Sequence, residues 1–312
     1  MGLRALTKLW WSAHFSLALG MQACSCSRMG GEVDSFAFVR CAEHAAPSER
    51  TSKLAGLELQ IEERTLTLRG SGELRVAAFT GPVGGAFSRT DLARLADTKP
   101  SVLLYLGGLG DTLEIASANL TALAGLRVPT LFIPGGADQL ELVDAAFEHL
   151  DDQSAEFMVH GSGLRELRLN KERFAILPGA ALGRYARDER SCGFEQADLD
   201  ALEEALGRSD KEHTWLLGWN APAGWGITRT AGQGDVGSPE LAKLAQAIGA
   251  RGGIFAYPEV QAMQPAPGPK PSGLAMVVPR LGRTGALRAD GGRLPPAVAT
   301  LRVTANGLSA AP

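Results

Sequence analysis

Two glycine-rich segments that each end in an aspartate are the strongest candidates for chemistry. They are Gly107-Gly108-Leu109-Gly110-Asp111 and Gly135-Gly136-Ala137-Asp138. Glycine-rich turns before a helix expose backbone N–H groups that can hold an anion. The simpler interpretation is a pair of tight turns, in which Asp111 and Asp138 satisfy the free N–H groups where a helix begins. Both aspartates would also oppose an anion, so the sequence favours the simpler interpretation.

Tryptophan is a second candidate. Trp215, Trp219 and Trp225 lie close together in the sequence, on either side of Asn220. An aromatic wall could bind a sugar or another flat ligand, but the more common use of tryptophan is core packing.

Side chains for covalent catalysis are sparse. No Gly-x-Ser-x-Gly motif occurs, and Gly161-Ser162-Gly163 has the wrong spacing for one. His160, which precedes it, is interpreted as a loop residue. None of the cysteine spacings is typical of a zinc site.

These candidates follow predicted strands. Continuous apolar runs are typical of parallel strands covered on both faces, and they are separated by segments with helical spacing. The predicted strands span 74–79, 102–106, 130–133, 157–159, 174–177, 214–219, 253–257, 274–278 and 298–304, and the predicted helices span 88–97, 112–124, 138–150, 196–206 and 239–248.

Ligands of open parallel sheets bind beyond the carboxyl ends of the strands. We therefore expect any pocket to be built from the residues that follow the strands. The candidates are Gly108, Asp111, Gly136, Asp138, Trp219, Asn220, Tyr257 and Glu259.

The order and context of these loops resemble the calcineurin-like metallophosphoesterases. That family carries Asp-x-His, Gly-Asp-x-x-Asp, Gly-Asn-His-Asp, a lone His and Gly-His-x-His after successive strands. The resemblance covers residues 74–260, and the second and third loops keep the leading glycine and the trailing aspartate. It implies an α/β sandwich with mostly parallel central strands, flanking helices and a C-terminal strand pair.

The family's metal ligands do not carry over. Its ligand positions fall on Gly81, Val83, Gly108, Gly136, Ala137, Trp219, Tyr257 and Glu259, while the five histidines, at 14, 44, 149, 160 and 213, lie outside these loops. A two-metal hydrolase needs oxygen and imidazole ligands. The sequence thus predicts no metal, no cofactor and no catalytic residue, and a tryptophan that fills the vacated cavity.

The N-terminus predicts export with a lipid anchor. A basic region precedes an apolar stretch at 9–21, which is shorter than the roughly 20 residues that span a bilayer. The following segment, 21–24, resembles a lipobox. We expect a signal peptide at 1–23, lipidation at Cys24, a tether at 24–56 and the metallophosphoesterase-like domain at 57–312. An ordinary cleaved signal with an unmodified Cys24 is the alternative.

Export has two consequences. An oxidising compartment permits a disulfide, and we favour Cys41 with Cys192 because Cys26 lies in the expected tether. Ser25, directly after the lipidated cysteine, favours the outer membrane, with the domain facing the periplasm. The net charge of −3 gives no basic surface for nucleic acid.

These observations support three hypotheses. The first is an envelope-anchored, catalytically inactive relative of the phosphoesterases that binds an envelope protein or a small ligand. The second is an active hydrolase with a diverged site, for which Asp111, Asp138, Asn220 and Glu259 are the only polar set. The third, weaker hypothesis is a structural protein without a ligand.

Overall fold

The computed structural model describes residues 39–82, 84–181, 191–206, 213–230, 234–257, 266–270, 273–282 and 295–311. The expected signal peptide, Cys24, Cys26, Val83 and Glu259 therefore lie outside the described residues.

Strands make up most of the regular structure. In chain order they are Arg50–Leu54 (β1), Leu57–Glu62 (β2), Thr65–Arg69 (β3), Leu74–Phe79 (β4), Val102–Leu106 (β5), Thr130–Ile133 (β6), Met158–His160 (β7), Glu166–Leu169 (β8), Glu172–Leu177 (β9), Ala180–Ala181 (β10), Gly193–Phe194 (β11), Thr214–Asn220 (β12), Arg229–Thr230 (β13), Gly234–Asp235 (β14), Gly253–Tyr257 (β15), Ala266–Pro267 (β16), Leu274–Val277 (β17), Ala299–Thr304 (β18) and Gly307–Ala310 (β19).

Two large sheets form the sandwich. The first has the order β1-β2-β3-β8-β9-β12-β15-β17-β16, in which β9, β12, β15 and β17 run parallel. The second has the order β19-β18-β4-β5-β6-β7, in which β4 to β7 run parallel and β18 pairs antiparallel with β4. The predicted fold class is confirmed. Both predicted C-terminal strands are present, β17 in the first sheet and β18 in the second.

The core lies in three layers, because alternate residues of a strand point to opposite faces. Val76 and Leu104, in the second sheet, pack into a buried cluster that lies between the two sheets and also contains residues of the first sheet. Phe79 and Tyr105, on the opposite face, belong to a cluster with helix residues. A third cluster covers the outer face of the first sheet.

Helices cover the outer faces. They are Arg89–Asp97 (α1), Leu113–Ala124 (α2), Leu140–Glu148 (α3), Asp152–Phe157 (α4), Gln196–Leu206 (α5) and Pro239–Ala247 (α6), with a short 3₁₀ turn at Cys41–Glu43. The predicted N-caps Ser88 and Ser238 accept the N–H groups of Asp91 and Leu241. Among the described residues, no helix is both long enough and apolar enough to cross a bilayer.

The predicted tether includes residues that belong to the fold. Cys41 is fully buried, and Arg50–Leu54 pairs antiparallel with β2 along its whole length. The folded part therefore begins before residue 57. The sequence concealed this because β1 is an edge strand with a single buried side chain, Leu54, so its apolar pattern is weak.

Candidate functional site

A small cavity lies at the carboxyl ends of β4, β5 and β12. Its volume is about 50 Å³, against about 300–1,000 Å³ for typical small-molecule pockets. We call it the strand-end cavity, and it is lined by Thr80, Gly81, Pro82, Gly84, Gly107, Gly108, Gly110, Asp111, Ala137, Asp138, Trp219 and Arg280. Four of the predicted pocket residues therefore line it: Gly108, Asp111, Asp138 and Trp219.

Asp138 joins two of the strand-end loops. Its carboxylate accepts the N–H of Gly135 at 2.7 Å, that of Leu109 at 2.8 Å and that of Gly108 at 3.0 and 3.1 Å. The side chain is buried. Burial raises the pKa of Asp138, while the three N–H donors act in the opposite direction. Both carboxylate oxygens are thus already engaged by the backbone.

The predicted helix-start role of the two aspartates is wrong. Asp138 accepts hydrogen bonds from backbone N–H groups of the loops after β5 and β6, and α3 begins two residues later without a side-chain cap. Asp111 is exposed, and the cap of α2 is Thr112, whose hydroxyl accepts the N–H of Ile115. Asp111 lies two residues before α2 and Asp138 two residues before α3, so neither is the N-cap residue of its helix.

Trp219 packs against the glycine loops. A Cβ atom on Gly107 would lie 2.6 Å from the indole, and a Cβ on Gly135 would lie 2.1 Å from it. Trp219 is 5% exposed and stacks on Tyr257, with ring centroids 6.4 Å apart. The glycines therefore provide the space that the indole occupies.

Gly81 is confined by the next loop. A Cβ at this position would lie 1.9 Å from the carbonyl oxygen of Gly108 and 2.4 Å from the hydroxyl of Tyr105. That hydroxyl donates to the Gly108 carbonyl at 2.7 Å. A side chain at position 81 would require the loop after β5 to move.

Three other predicted pocket residues, Gly136, Asn220 and Tyr257, do not line the cavity, and Glu259 lies outside the described residues. Gly136 is buried in its loop. Asn220 is 2% exposed, and its side-chain oxygen accepts the N–H of Ala181 at 2.9 Å, so its role here is structural. Tyr257 stacks on Trp219, which lines the cavity.

The three tryptophans do not form one aromatic wall. Trp215 is fully buried and stacks on Phe174. Trp225 packs against Phe255 and lines a separate cavity of about 330 Å³ beside α6. The aromatic wall, the less favoured alternative, is not formed because Trp225 lies beyond the end of β12, on the other side of the first sheet from Trp219; core packing was the favoured interpretation.

A cluster of metal-ligating side chains lies outside the strand-end cavity. Among the described residues, the ligand atoms of His44, Asp144 and His160 all lie within 4.8 Å of one another. The interpretation of His160 as a loop residue was wrong, since it ends β7 with a side chain only 13% exposed. The sequence spacings, 100 and 16 residues, follow no metal-binding motif, so only the fold unites the cluster.

A disulfide joins Cys41 to Cys192, the pair that the sequence favours. The two Cα atoms lie 5.1 Å apart, within the usual range for a disulfide. The bond attaches the segment that precedes β1 to β11, and so holds the 3₁₀ turn that leads to His44.

Comparisons with known proteins give similarity in fold only. No protein-family model and no curated protein matches the sequence. One solved crystal structure is 11% identical with a TM-score of 0.52, covering 77% of this chain and 98% of its own. TT1561 of Thermus thermophilus is 16% identical, with a TM-score of 0.49 and coverage of 76% and 98%. A dimetal phosphatase from Danio rerio is 12% identical, with a TM-score of 0.42 and coverage of 73% and 92%.

At these sequence identities a structural match is evidence of a shared fold and not of a shared reaction. The first match, which spans nearly the whole of its own chain, supports the two-sheet α/β sandwich described above.

Proposed function

We propose that this chain is a metallophosphoesterase-like protein of the bacterial envelope that does not catalyse phosphoester hydrolysis and acts as a binding or scaffold module. The observation that carries the proposal is the position of Trp219, whose indole packs directly against Gly107 and Gly135.

The residues at the strand ends do not fit a dinuclear metal centre. Such a centre holds two ions about 3.5–4 Å apart and needs several carboxylate or imidazole ligands. Gly81 has no room for a side chain, and both oxygens of Asp138 accept backbone N–H groups. Among the described residues that line the strand-end cavity, Asp111 is the other carboxylate, and one carboxylate alone does not supply the ligands that two ions need.

The small volume of the strand-end cavity favours binding through the outer surface. About 50 Å³ holds one or a few water molecules. The partner that we propose is an envelope protein. A small ligand is the less favoured choice, and its place would be the cavity of about 330 Å³ beside α6 rather than the strand-end cavity.

The envelope location rests on two features. The segment ending at Cys24 resembles a lipobox, which would attach the domain to the membrane through a lipid. The disulfide between Cys41 and Cys192 is typical of proteins that fold in oxidising compartments such as the periplasm.

A hydrolysis assay tests the catalytic part. Full-length protein, purified in a mild detergent, is incubated with aryl phosphate monoester and diester substrates in Mn²⁺, Fe²⁺ or Zn²⁺. We expect no turnover above the protein-free rate. The Asp111→Asn variant is assayed in parallel, because Asp111 is an exposed carboxylate among the described residues that line the strand-end cavity.

An active hydrolase would give a different result. Turnover that scales with protein concentration and disappears in Asp111→Asn would overturn the proposal. Turnover that is equal in both proteins is repeated with protein purified from a phosphatase-deficient host. If it disappears, it came from a contaminating phosphatase; if it persists, another site of this chain is active and the proposal is overturned.

A further inference from the structure

We propose that His44, Asp144 and His160 form a binding site for a single divalent transition-metal ion, separate from the strand-end cavity. The site does not depend on the proposed function, since none of the three residues lines that cavity.

Three different elements bring the ligands together. His44 directly follows the 3₁₀ turn, Asp144 lies on α3 and His160 ends β7. One carboxylate oxygen of Asp144 lies 2.9 Å from Nε2 of His44 and 3.5 Å from Nδ1 of His160. Two imidazole nitrogens thus converge on the same oxygen.

The hydrogen bonding of His44 places two acceptor atoms, Nε2 of His44 and a carboxylate oxygen of Asp144, next to each other. Nδ1 of His44 lies 3.0 Å from the carbonyl oxygen of Ala45, and a carbonyl only accepts, so Nδ1 carries a hydrogen. In the neutral ring Nε2 then presents a lone pair to Asp144 at 2.9 Å. Two facing acceptors at that distance need a proton or a metal ion between them.

His160 has the environment of a neutral ligand. It is stacked against Phe147, with ring centroids 4.7 Å apart. Its side chain is only 13% exposed, and burial favours the uncharged form of an imidazole. A metal ligand must be the neutral imidazole.

Each ring also has an outer partner. Nε2 of His160 lies 2.8 Å from the hydroxyl of Ser162, and Nδ1 of His44 lies against Ala45. Metal-binding histidines almost always bond through the second nitrogen to a carbonyl, carboxylate or water, which fixes the ring orientation. Here these contacts use Nδ1 of His44 and Nε2 of His160, so Nε2 of His44 and Nδ1 of His160 face Asp144.

The segment that carries His44 is held on both sides of that residue. Cys41 is bonded to Cys192, and the carbonyl of Cys41 accepts the N–H of His44 at 3.1 Å. After His44, the chain passes so close to Gly163 that a Cβ there would lie 2.0 Å from the carbonyl oxygen of Ala45. His44 is therefore positioned in advance of any ion.

Two imidazoles and one carboxylate indicate the class of metal. Imidazole suits Zn²⁺, Cu²⁺, Ni²⁺ and Fe²⁺, and a three-residue set leaves a fourth tetrahedral position for water. The Asp144 side chain is 39% exposed and that of His44 is 20% exposed, so an ion can reach the site from solvent.

A serine-nucleophile arrangement fits less well. Ser162, His160 and Asp144 follow the order of a catalytic triad, but Ser162 is fully buried and has no access to substrate.

Metal titration tests the site without any activity assay. Full-length protein is stripped with a chelator, dialysed, and titrated with Zn²⁺ by calorimetry and with Co²⁺ by visible absorption. We expect one ion per chain and the d–d absorption of four-coordinate Co²⁺. His44→Gln and Asp144→Asn should each weaken Zn²⁺ binding by more than about tenfold, which is about 1.4 kcal/mol.

Two further variants separate this site from other causes. His149→Gln changes an exposed histidine five residues from Asp144 and should bind Zn²⁺ as the wild type does. Ser162→Ala removes only an outer partner and should weaken binding by about 10–100-fold. The thermal unfolding of each variant is measured after its metal has been removed with a chelator, so that loss of the fold is distinguished from loss of metal binding.

Three results would overturn the proposal: no stoichiometric ion in the wild type, equal affinity in folded Asp144→Asn, or loss of affinity in His149→Gln as large as in His44→Gln. The first two would leave His44 and Asp144 as an ordinary ion pair. None of the three bears on phosphoester hydrolysis, so failure here leaves the proposed function standing.

Discussion

The indole of Trp219 lies so close to Gly135 that a Cβ on the glycine would lie 2.1 Å from it. Trp219 is on β12 of the first sheet, and Gly135 is in the loop after β6 of the second sheet. Their contact therefore links the two halves of the sandwich at the strand ends.

We expect Gly135→Ala to lower the free energy of unfolding by about 1–3 kcal/mol, because an added methyl in a packed site forces its neighbours to shift. Denaturant unfolding measures this. Gly85→Ala is the matched control, since a Cβ there meets nothing within 4 Å. If the indole causes this loss, the double variant Gly135→Ala/Trp219→Ala should be more stable than the sum of the two single losses predicts. Losses of unfolding free energy that simply add would contradict the contact.

Asp138→Asn should also destabilise the fold. The amide NH₂ of asparagine replaces one acceptor oxygen and faces backbone N–H groups that the carboxylate now binds. A buried donor left without an acceptor costs about 1–3 kcal/mol. Asp111→Asn, at an exposed position, should change the free energy of unfolding by no more than about 0.5 kcal/mol. Similar losses in both variants would contradict this account of Asp138.

Removal of the disulfide should affect both stability and metal binding. The Cys41→Ser/Cys192→Ser variant is expected to lose about 2–5 kcal/mol of stability. It should also bind Zn²⁺ more weakly, because the turn that carries His44 is released. Calorimetry at a temperature where the variant is still folded separates the two effects. Unchanged Zn²⁺ affinity in the folded variant would mean that the disulfide does not position His44.

The metal-free protein should lose stability as the pH falls below about 6.5. The pKa of His160 is about 3 in the fold, below its value of about 6.5 in an unfolded chain, so the unfolded chain takes up the proton first. The contribution of neutral His160 is complete above about pH 6.5 and declines toward about pH 3, at up to about 1.4 kcal/mol per pH unit.

Unfolding at about pH 7 and about pH 5.5 in a chelator measures this slope. The ionisable side chains that face His160 are those of His44 and Asp144. His160→Asn should flatten the slope, and His149→Gln should leave it unchanged. An unaltered slope in His160→Asn would assign the effect to other groups.

Lipidation can be tested directly in cells. Metabolic labelling with a radioactive fatty acid should mark the wild type and Cys26→Ser but not Cys24→Ala, because the lipobox-like segment ends at Cys24. Fractionation should then find Cys24→Ala in the soluble periplasmic fraction. Labelling of Cys24→Ala would refute the predicted anchor.

The regular elements of the sandwich could be predicted where they are long and apolar. β4, β5, β6 and β15 match their predicted ranges, as does α5. A central parallel strand is buried on both faces, so its sequence is an apolar run that needs no tertiary information. The edge strand β1 and the strands β2, β3 and β8 were missed, although β2 alternates between buried and exposed residues and could have been found.

The sequence by itself determined the α/β class, the glycine loops at the strand ends and the lack of the family's metal ligands there, because these depend on residue type and local order. Only the tertiary structure decided that Asp138 bonds to two loops, that Trp219 lies against Gly135, and that His44, Asp144 and His160 meet. Contacts between residues far apart in the chain depend on how the sheets and helices pack, and no local pattern encodes that packing.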